Sequence, residues 1–338
     1  TKYISSAFFV GGILGLLITI LGLTFLKPLV RFLGSTETIV PHAMDYGMWI
    51  LLAAPFIICS FILNNGLRYE GKAFYAMFGL TAGGILNIFG DYILVMKCGL
   101  GVYGAGLATA TSQVVSFVIL IFPYITRRSL LHLSIKNFHP SRDIITKVVS
   151  VGSSSMFRSG LAVVAAIMLN DLAGNISDSV LAGIGVCTKI MMFPFSIILG
   201  FGNGFQPVAG FNWGAKRYDR VKEAYRFSSR VAFWGGLLMA AFCIVFADWL
   251  IILFAGTDEE MRRIGAFAII TQAIALPIHA WVAIVNMYCV GLGDAKGALL
   301  LSTARQGSCF LPILYPLAWL FGAYGVGCVQ AVADVLSM

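Results

Sequence analysis

Uncharged apolar runs of membrane-spanning length recur along the whole chain, separated by short polar segments. A helix needs about 20 apolar residues to cross the hydrocarbon core of a bilayer. The pattern therefore predicts an all-α polytopic membrane protein with about ten helices, the last too short to complete a crossing. The predicted spans are residues 7–26, 46–63, 73–96, 98–126, 148–170, 180–211, 231–254, 264–293, 298–321 and 325–338.

The composition indicates that the natural solvent of this chain is a bilayer. Of its 338 residues, 59% are hydrophobic and 11% are charged, whereas a soluble domain carries about 25% charged residues. These values exclude an ordinary soluble enzyme, a disordered tail and a disulfide scaffold. The seven cysteines and four histidines stand singly. No metal site is expected from them.

The net charge of +8 follows a topological pattern. Basic residues cluster in the loops around 127–147 and 216–230, whereas the intervening loops carry acidic groups such as Glu37 and Asp258. The positive-inside rule makes the basic side cytoplasmic. We therefore expect a multi-pass protein of the plasma membrane, with membrane lipid as a partner and no nucleic-acid partner.

The chain resembles itself at an offset of 221–222 residues. Pro55 aligns with Pro277, Asn65 with Asn286, and 104–116 with 325–337. Corresponding helices would cross the membrane in the same direction, which is a parallel, pseudo-twofold repeat. At this offset the helices between residues 143 and 222 have no counterpart within the chain. The repeat therefore predicts a 6+6 bundle whose first two helices are absent here and whose last is cut short.

The repeat also predicts the domain boundaries. Residues 1–126 would form the remainder of an amino-terminal lobe (helices 3–6), residues 127–142 a cytoplasmic linker, and residues 143–338 a carboxy-terminal lobe (helices 7–12). Two lobes joined at such a linker are typical of alternating-access carriers. A duplicated helix bundle can also be a channel, and we favour the carrier.

Polar residues inside apolar spans are costly and are candidates for function. Asn87 and Asp91 are four residues apart and share one helix face. Asp91 lies six residues, about 9 Å, from the predicted outer helix end. Carboxylate and amide oxygens suit Na⁺ or a proton. The alternative is an interfacial carboxylate that caps a neighbouring helix.

Of the other charged residues within predicted spans, four are candidates: Arg158, Lys189, Arg305 and Asp334. They form either a structural ion-pair network, such as Arg305 with Asp334, or the lining of a cleft. Lys189, about 13 Å into its helix, is the best candidate for a cleft.

The segment 204–217 combines Gly and Pro with a following basic stretch. The pattern predicts a helix break at the cytoplasmic edge, serving as a hinge or gate or simply as a helix end. The candidate residues are Gln206, Pro207, Asn212 and Gly214, together with Pro194, which is expected to kink its helix.

Enzyme motifs are weak or absent. The GxGxxG match at 99–104 joins two membrane spans, which excludes a dinucleotide fold. Asp294 matches the GxGD of intramembrane proteases, which remain a remote alternative. No Walker A, HExxH or GxSxG motif occurs. We expect a transporter driven by an ion gradient, without a cofactor.

Several segments resemble the multidrug and toxin extrusion (MATE) transporters. Residues 206–216 look like the loop after their eighth helix, and 86–91 with 104–109 look like their fifth and sixth helices. Residues 304–306 with Pro312, followed by 325–327 and 333–334, resemble their last two helices. The resemblance is strongest to the bacterial MepA-like and DinF-like branch.

This resemblance implies a cation-coupled antiporter that exports amphipathic, often cationic, small molecules across a bacterial inner membrane, acting as a monomer. The family's amino-lobe cation site would match Asn87, Asp91 and Thr109, with Na⁺ or H⁺ as the coupling ion. A carboxyl-lobe site is not expected, because spans 148–170 and 264–293 contain no carboxylate. A lipid or lipid-linked saccharide flippase of similar architecture is the alternative.

Overall fold

The computed structural model describes residues 2–32, 40–134, 142–255 and 258–337, and within these ranges every regular element is helical. The helices are α1 (Lys2–Thr24), α2 (Leu26–Phe32), α3 (Val40–Tyr69), α4 (Ala73–Asp91), α5 (Gly101–Ile125), α6 (Arg142–Ile176), α7 (Asp178–Gly214), α8 (Tyr218–Val245), α9 (Ala247–Ala255), α10 (Glu259–Leu292), α11 (Ala295–Thr303) and α12 (Phe310–Leu336). Two π-helical segments, Tyr92–Lys97 and Ala304–Ser308, continue α4 and α11.

Nine helices in the described part of the chain are long and apolar enough to cross a membrane. The count differs from the predicted ten at the carboxyl end. The predicted span 298–321 corresponds to α11, the π-helical segment Ala304–Ser308 and the first half of α12. Within α12 the backbone leaves the helical conformation at Gly322 (φ 56°, ψ −131°). Glycine adopts this conformation readily because it lacks a Cβ, so the predicted break between the last two spans is present as a kink.

The chain divides into two compact units, Thr1–Ile144 and Ile145–Met338. In the first unit, α3 contacts each of the other helices α1, α2, α4 and α5. Its core contains Leu63, Leu67 and Leu120, all fully buried. The Tyr124 hydroxyl donates a hydrogen bond to the Leu63 carbonyl at 3.0 Å, which satisfies the polar end of a buried ring. The predicted linker 127–142 includes residues 135–141, which lie outside the described residues.

In the second unit, α10 is the central helix and contacts α7, α8, α9, α11 and α12. In its most apolar stretch 67% of residues are buried, compared with at most 33% in the other spans. Its apolar side chains therefore point in all directions, as expected of a helix surrounded by others. Phe310 and Leu314 of α12 pack with Ala165 of α6 at a separate core.

The two units repeat the same internal contacts at the offset read from the sequence. Asn64 donates to the Ala76 carbonyl at 2.8 Å, and Asn286 donates to the Ala298 carbonyl at 3.1 Å. The counterpart of Asn286 is thus Asn64, and the alignment with Asn65 was wrong by one residue. Asn65 points away from the core and bonds the Phe61 carbonyl one turn earlier.

Glycines repeat in the same way. Gly71 and Gly293 both adopt a left-handed conformation, with φ of 80° and 78°, two residues before the first residue of α4 and of α11. A Cβ added to Gly15 would lie 2.5 Å from the Pro55 Cα, and one added to Gly236 would lie 3.0 Å from the Pro277 Cα. A helix therefore crosses closely over an in-helix proline in both units.

Within the segment 204–217 the helix continues to Gly214 and ends there, as in the helix-end alternative. α7 is one helix of 37 residues that contains Pro194 and Pro207 and ends at Gly214. Lys216, not a glycine, takes the left-handed conformation (φ 57°) that closes the helix, and the Arg217 amide then bonds the Asn212 carbonyl at 2.9 Å. Neighbouring helices make such prolines tolerable in membranes.

One such neighbour is visible at the second proline. Gly291 of α10 comes so close to α7 that a Cβ there would lie 2.9 Å from the Gln206 carbonyl oxygen. This contact supports α7 directly beside Pro207. Asn212 donates its side-chain amide to the Val208 carbonyl at 2.9 Å, which adds to the helical ladder. A gating role for these residues stays a prediction.

Candidate functional site

Asp91 stands where α4 changes into a π-helical turn. It is the last residue of α4, and the Cys98 amide reaches back five residues to the Ile93 carbonyl at 2.9 Å. Isolated π-helical turns occur frequently at functional sites, because the extra residue redirects side chains. The sequence pattern contained no sign of this local change.

Asn87 and Thr109 meet across the contact between α4 and α5. The Asn87 side-chain amide donates to the Thr109 hydroxyl at 3.2 Å, and that hydroxyl donates to the Ala105 carbonyl at 2.9 Å. The two helices approach closely here: a Cβ added to Gly90 would lie only 3.0 Å from the Ala108 side chain. Two of the three predicted cation ligands are therefore in direct contact.

Asp91 lies one turn beyond Asn87 on the same helix and is half-buried. Its Oδ1 atom is buried and has no hydrogen-bond partner. Buried polar atoms are nearly always hydrogen-bonded. This oxygen is therefore an unsatisfied acceptor that a proton or a cation could bind. Carboxylate, amide and hydroxyl oxygens together are a donor set suited to Na⁺.

A second cluster of polar groups lies in the second unit. Arg305, in the π-helical segment Ala304–Ser308, donates through Nε to Oδ1 of Asp334, and Gln330 donates to the same oxygen at 3.1 Å. The Asp334 side chain is 3% exposed. The ion pair suggested from the sequence is thus present, and it ties the π-helical turn to α12.

His279 belongs to this cluster, although nothing in the sequence analysis singled it out. It lies in the middle of α10, is buried, and its Nδ1 is 3.9 Å from Oδ2 of Asp334. The available signal was its position as the one histidine within the uncharged span 264–293. A lone histidine in an apolar run gives no indication of its partner.

The structure describes the side chain of one of the two remaining predicted charges, Lys189. Lys189 is exposed on α7. Arg158 lies in α6, and its side chain is outside the described residues. Pro194 is buried within α7.

Asp294 has a structural role. Its side chain accepts a hydrogen bond from the Gly297 amide at 3.1 Å and caps the start of α11. N-terminal caps of this kind satisfy otherwise unpaired helical amides. The GxGD match is therefore explained by helix capping, which removes the basis of the intramembrane protease alternative.

Glu70, in the turn between α3 and α4, holds the segment that follows α5. Its carboxylate is 3% exposed and accepts hydrogen bonds from the Ser129 hydroxyl, from the amides of Leu131 (3.0 Å) and Leu130 (3.2 Å), and from the Lys72 ammonium (3.2 Å). Burial by itself raises the pKa of Glu70, but these hydrogen bonds outweigh it and hold the pKa below its usual value.

On the other predicted side of the membrane, Asp258 caps α10. It accepts from the Met261 amide at 2.9 Å and from the Ser179 hydroxyl at 2.6 Å. These two hydrogen bonds lower the pKa of Asp258 below its usual value. The cap joins the start of α10 to the start of α7.

Helices long enough to cross a membrane, with polar groups buried within them, are typical of secondary transporters. The sequence profile of the MatE family matches residues 1–93 and 155–319 of this chain. The chain therefore belongs to the MatE family, and the predicted family, all-helical fold, non-enzymatic class and membrane location are confirmed.

Curated relatives cover nearly the whole chain. It is 26% identical to the multidrug export protein MepA of Staphylococcus aureus over 339 residues, and 24% identical to MepA of Staphylococcus saprophyticus over 346 residues. Each alignment covers 99% of this chain and 74% of the relative.

Solved structures show the same fold. An outward-facing multidrug resistance MATE transporter of the MOP superfamily superposes with a TM-score of 0.93, and a MATE protein in complex with MaL6 with a TM-score of 0.92. Both are 25% identical to this chain, and each alignment covers 99% of it and 76% of the other chain.

Proposed function

We propose that this protein exports amphipathic, often cationic, small molecules in exchange for Na⁺ or H⁺. The relatives named above are multidrug export proteins, which supports the substrate class. Among the described residues, the buried and unpartnered Oδ1 of Asp91 is the observation that carries the coupling part of the proposal.

The coupling cation binds at Asp91, with Asn87 and Thr109 as neighbouring ligands. A buried carboxylate oxygen without a partner is costly, and a bound proton or Na⁺ removes that cost. The Asn87–Thr109 hydrogen bond joins α4 to α5 at this level. A cation that attracts the Asn87 oxygen therefore alters the contact between these two helices.

Transport follows from differential affinity. A cation can drive export only if it and the drug favour different conformations of the protein. Alternating access of the two lobes provides those conformations. Occupancy at Asp91 favours the state that releases drug outward, and cation release to the cytoplasm restores the state that accepts drug.

The contacts of Arg305 favour drug export over lipid flipping. A flippase for a phosphate-bearing lipid would use free basic groups along its path, for which Arg158, Lys189 and Arg305 were the candidates. The charge of Arg305 is balanced by the Asp334 carboxylate, so Arg305 is not a free basic group of the kind that a flippase would use. Transport assays with a fluorescent dye and with a lipid-linked saccharide separate the two functions directly.

The decisive experiment replaces Asp91 with Asn in the protein reconstituted in proteoliposomes. Ethidium efflux is measured with the Na⁺ and pH gradients collapsed separately, which also identifies the ion. We expect gradient-driven efflux to fall at least about fivefold, the lower end of measured coupling factors. Asp219→Asn, at an exposed position in the first turn of α8, is the matched control. Unchanged coupled efflux in Asp91→Asn would refute the proposal.

A further inference from the structure

His279 and Asp334 face each other inside the second unit without completing a hydrogen bond. His279 is 5% exposed and its Nδ1 has no hydrogen-bond partner. The nearest acidic atom is Oδ2 of Asp334 at 3.9 Å. A hydrogen bond requires about 2.7–3.2 Å, so a movement of about 1 Å would close the pair.

One negative and one positive side chain lie beside His279, and their charges cancel. Asp334 carries the negative charge and Arg305 the positive charge, and they are bonded to each other through Oδ1 of Asp334. From α7, the Phe195 ring lies 4.6 Å from the imidazole, and the Arg305 guanidinium lies 5.4 Å from the centre of that ring.

No other described charge reaches this position. From α8, Gly236 contacts α10 at Pro277 and Ala280 and brings no ionisable group. Asp248 of α9 pairs with Arg262 at 4.0 Å, which is 17 positions, or about 25 Å, from His279 along α10. The charges at the start of α11 are similarly distant along the chain, so Asp334 and Arg305 set the electrostatics of the imidazole.

The carboxylate is arranged to serve two cations at once. Oδ1 of Asp334 already receives Arg305 and Gln330, whereas Oδ2 faces His279. Histidine is the side chain whose charge ordinarily changes between about pH 5 and 8. A buried charge persists only when it is paired and hydrogen-bonded, and Oδ2 provides both for an imidazolium. The aromatic face of Phe195 adds a weaker attraction for a cation.

We propose that His279 and Asp334 form a proton-binding site in the second unit, separate from the Asp91 site in the first. The proton adds to the His279 imidazole, which then donates through Nδ1 to Oδ2 of Asp334. Arg305 must then share the carboxylate with a second cation. Protonation thereby weakens the attachment of the π-helical segment Ala304–Ser308 to α12. The charge change is local, and its effect on transport rests on the proposed export function.

The primary test measures protonation directly. The full chain is labelled with ¹⁵N-histidine in lipid nanodiscs and titrated by NMR. The signal of His279 is assigned in a variant that retains only this histidine, with His42, His132 and His139 replaced by Asn. We expect the His279 signal to change from the neutral to the protonated form as the pH is lowered from about 8 to 4, and the change to require a lower pH in Asp334→Asn than in the wild type. A His279 that keeps one protonation state throughout this range overturns the proposal, as does an unchanged midpoint in Asp334→Asn.

The second test measures transport. His279→Asn keeps a neutral side-chain amide near the position of Nδ1 and removes the titration. We expect it to change the pH dependence of dye efflux at a fixed Na⁺ gradient by at least about twofold between about pH 5 and 8. His42→Asn, at an exposed position on α3, should keep the wild-type profile. A wild-type pH profile in His279→Asn overturns the site's role in transport.

The two proposals fail separately. The NMR titration does not depend on export, and it should be unchanged in Asp91→Asn because the two sites lie in different units. Unchanged coupled efflux in Asp91→Asn would reject the proposed cation site while leaving the His279 titration as a valid result. A His279 signal that does not change with pH would reject the second site while leaving the Asp91 result as it stands.

Discussion

Asn64 and Asn286, 222 positions apart in the chain, make the same buried hydrogen bond in the two units. Each donates its side-chain amide to a carbonyl twelve residues later, in the first turn of the following helix. The bond fixes the turn between two successive helices, and its repetition shows that both units are built on one plan.

Removing either asparagine should destabilise its own unit. Asn64→Ala and Asn286→Ala leave the Ala76 or Ala298 carbonyl without this donor inside the protein, which costs about 1–3 kcal/mol. Thermal unfolding in detergent micelles measures the loss. Asn65→Ala is the matched control, because Asn65 is exposed, and it should change stability by less than about 0.5 kcal/mol. Equal effects of Asn64→Ala and Asn65→Ala would contradict the assignment.

Because helices cross closely over Pro55 and Pro277, we expect the stability of the protein to depend on the glycines at these crossings. Gly15→Ala and Gly236→Ala bring a methyl group against backbone atoms that cannot move aside, and overpacking of this kind costs about 1–3 kcal/mol. Gly84→Ala, at a helical position with nothing within 4 Å of the added Cβ, should be neutral or stabilise by up to about 1 kcal/mol. Unfolding temperatures of the three variants test this. A Gly15→Ala protein as stable as wild type would disprove the close crossing.

We expect the attachment of residues 126–134 to the Glu70 carboxylate to depend on pH. Because the folded state lowers the pKa of Glu70, its stabilising contribution is complete above the ordinary value of 4.5 and is lost as the pH falls through the lower folded value. Protection of this segment should be constant near neutral pH and decline only below about pH 4.5. Hydrogen exchange, corrected for its intrinsic pH dependence, measures the protection.

Substitution of Glu70 supplies the companion measurement. A hydrogen bond to a charged group contributes about 1.5–3 kcal/mol, so Glu70→Gln should speed exchange of residues 126–134 by about tenfold or more at neutral pH. Its residual protection should no longer depend on acid. Glu223→Gln, at an exposed position on α8, is the control. Wild-type protection in Glu70→Gln would show that the carboxylate does not hold this segment.

We expect loss of the Thr109 hydroxyl to weaken binding of the coupling ion without weakening the fold. Thr109→Val keeps the shape of the side chain but removes the hydroxyl that meets Asn87. We expect the cation concentration for half-maximal efflux to rise at least about fivefold, with little change in protein stability. Thr109→Ser should restore the wild-type value. Thr111→Val, exposed on the same helix, should behave as wild type. Efflux with an unaltered cation dependence in Thr109→Val would exclude Thr109 from the site.

Local sequence patterns were sufficient for most of the fold. Lipid cannot hydrogen-bond a peptide group, so an apolar run of membrane length has to be a helix. The predicted spans overlap the observed helices, and they differ most at 231–254, which covers parts of α8 and α9, and at the carboxyl end. Local patterns left some positions open. Gly and Pro at 204–217 allowed either a hinge or a helix end, and the contact of Gly291 with α7 supports a helix that continues to Gly214.

The candidate site was predictable only in part. Asn87 and Asp91 could be placed on one face because helical spacing is a local property, and Thr109 came from the family resemblance. The transition to a π-helix after Asp91 and the engagement of His279 with Asp334 could not be predicted, since the first changes one turn of backbone and the second joins residues on different helices.

The sequence by itself determined that the chain crosses a membrane, where it crosses, and that its pattern is duplicated, because hydrophobicity and periodicity are read along the chain. Only the tertiary structure decided which of several similar polar residues meet. A shift of one residue turns a helix position by about 100°, which separates Asn64 in the core from Asn65 at the surface. The distance between His279 and Asp334 depends on how α10 and α12 pack, and no local pattern encodes that packing.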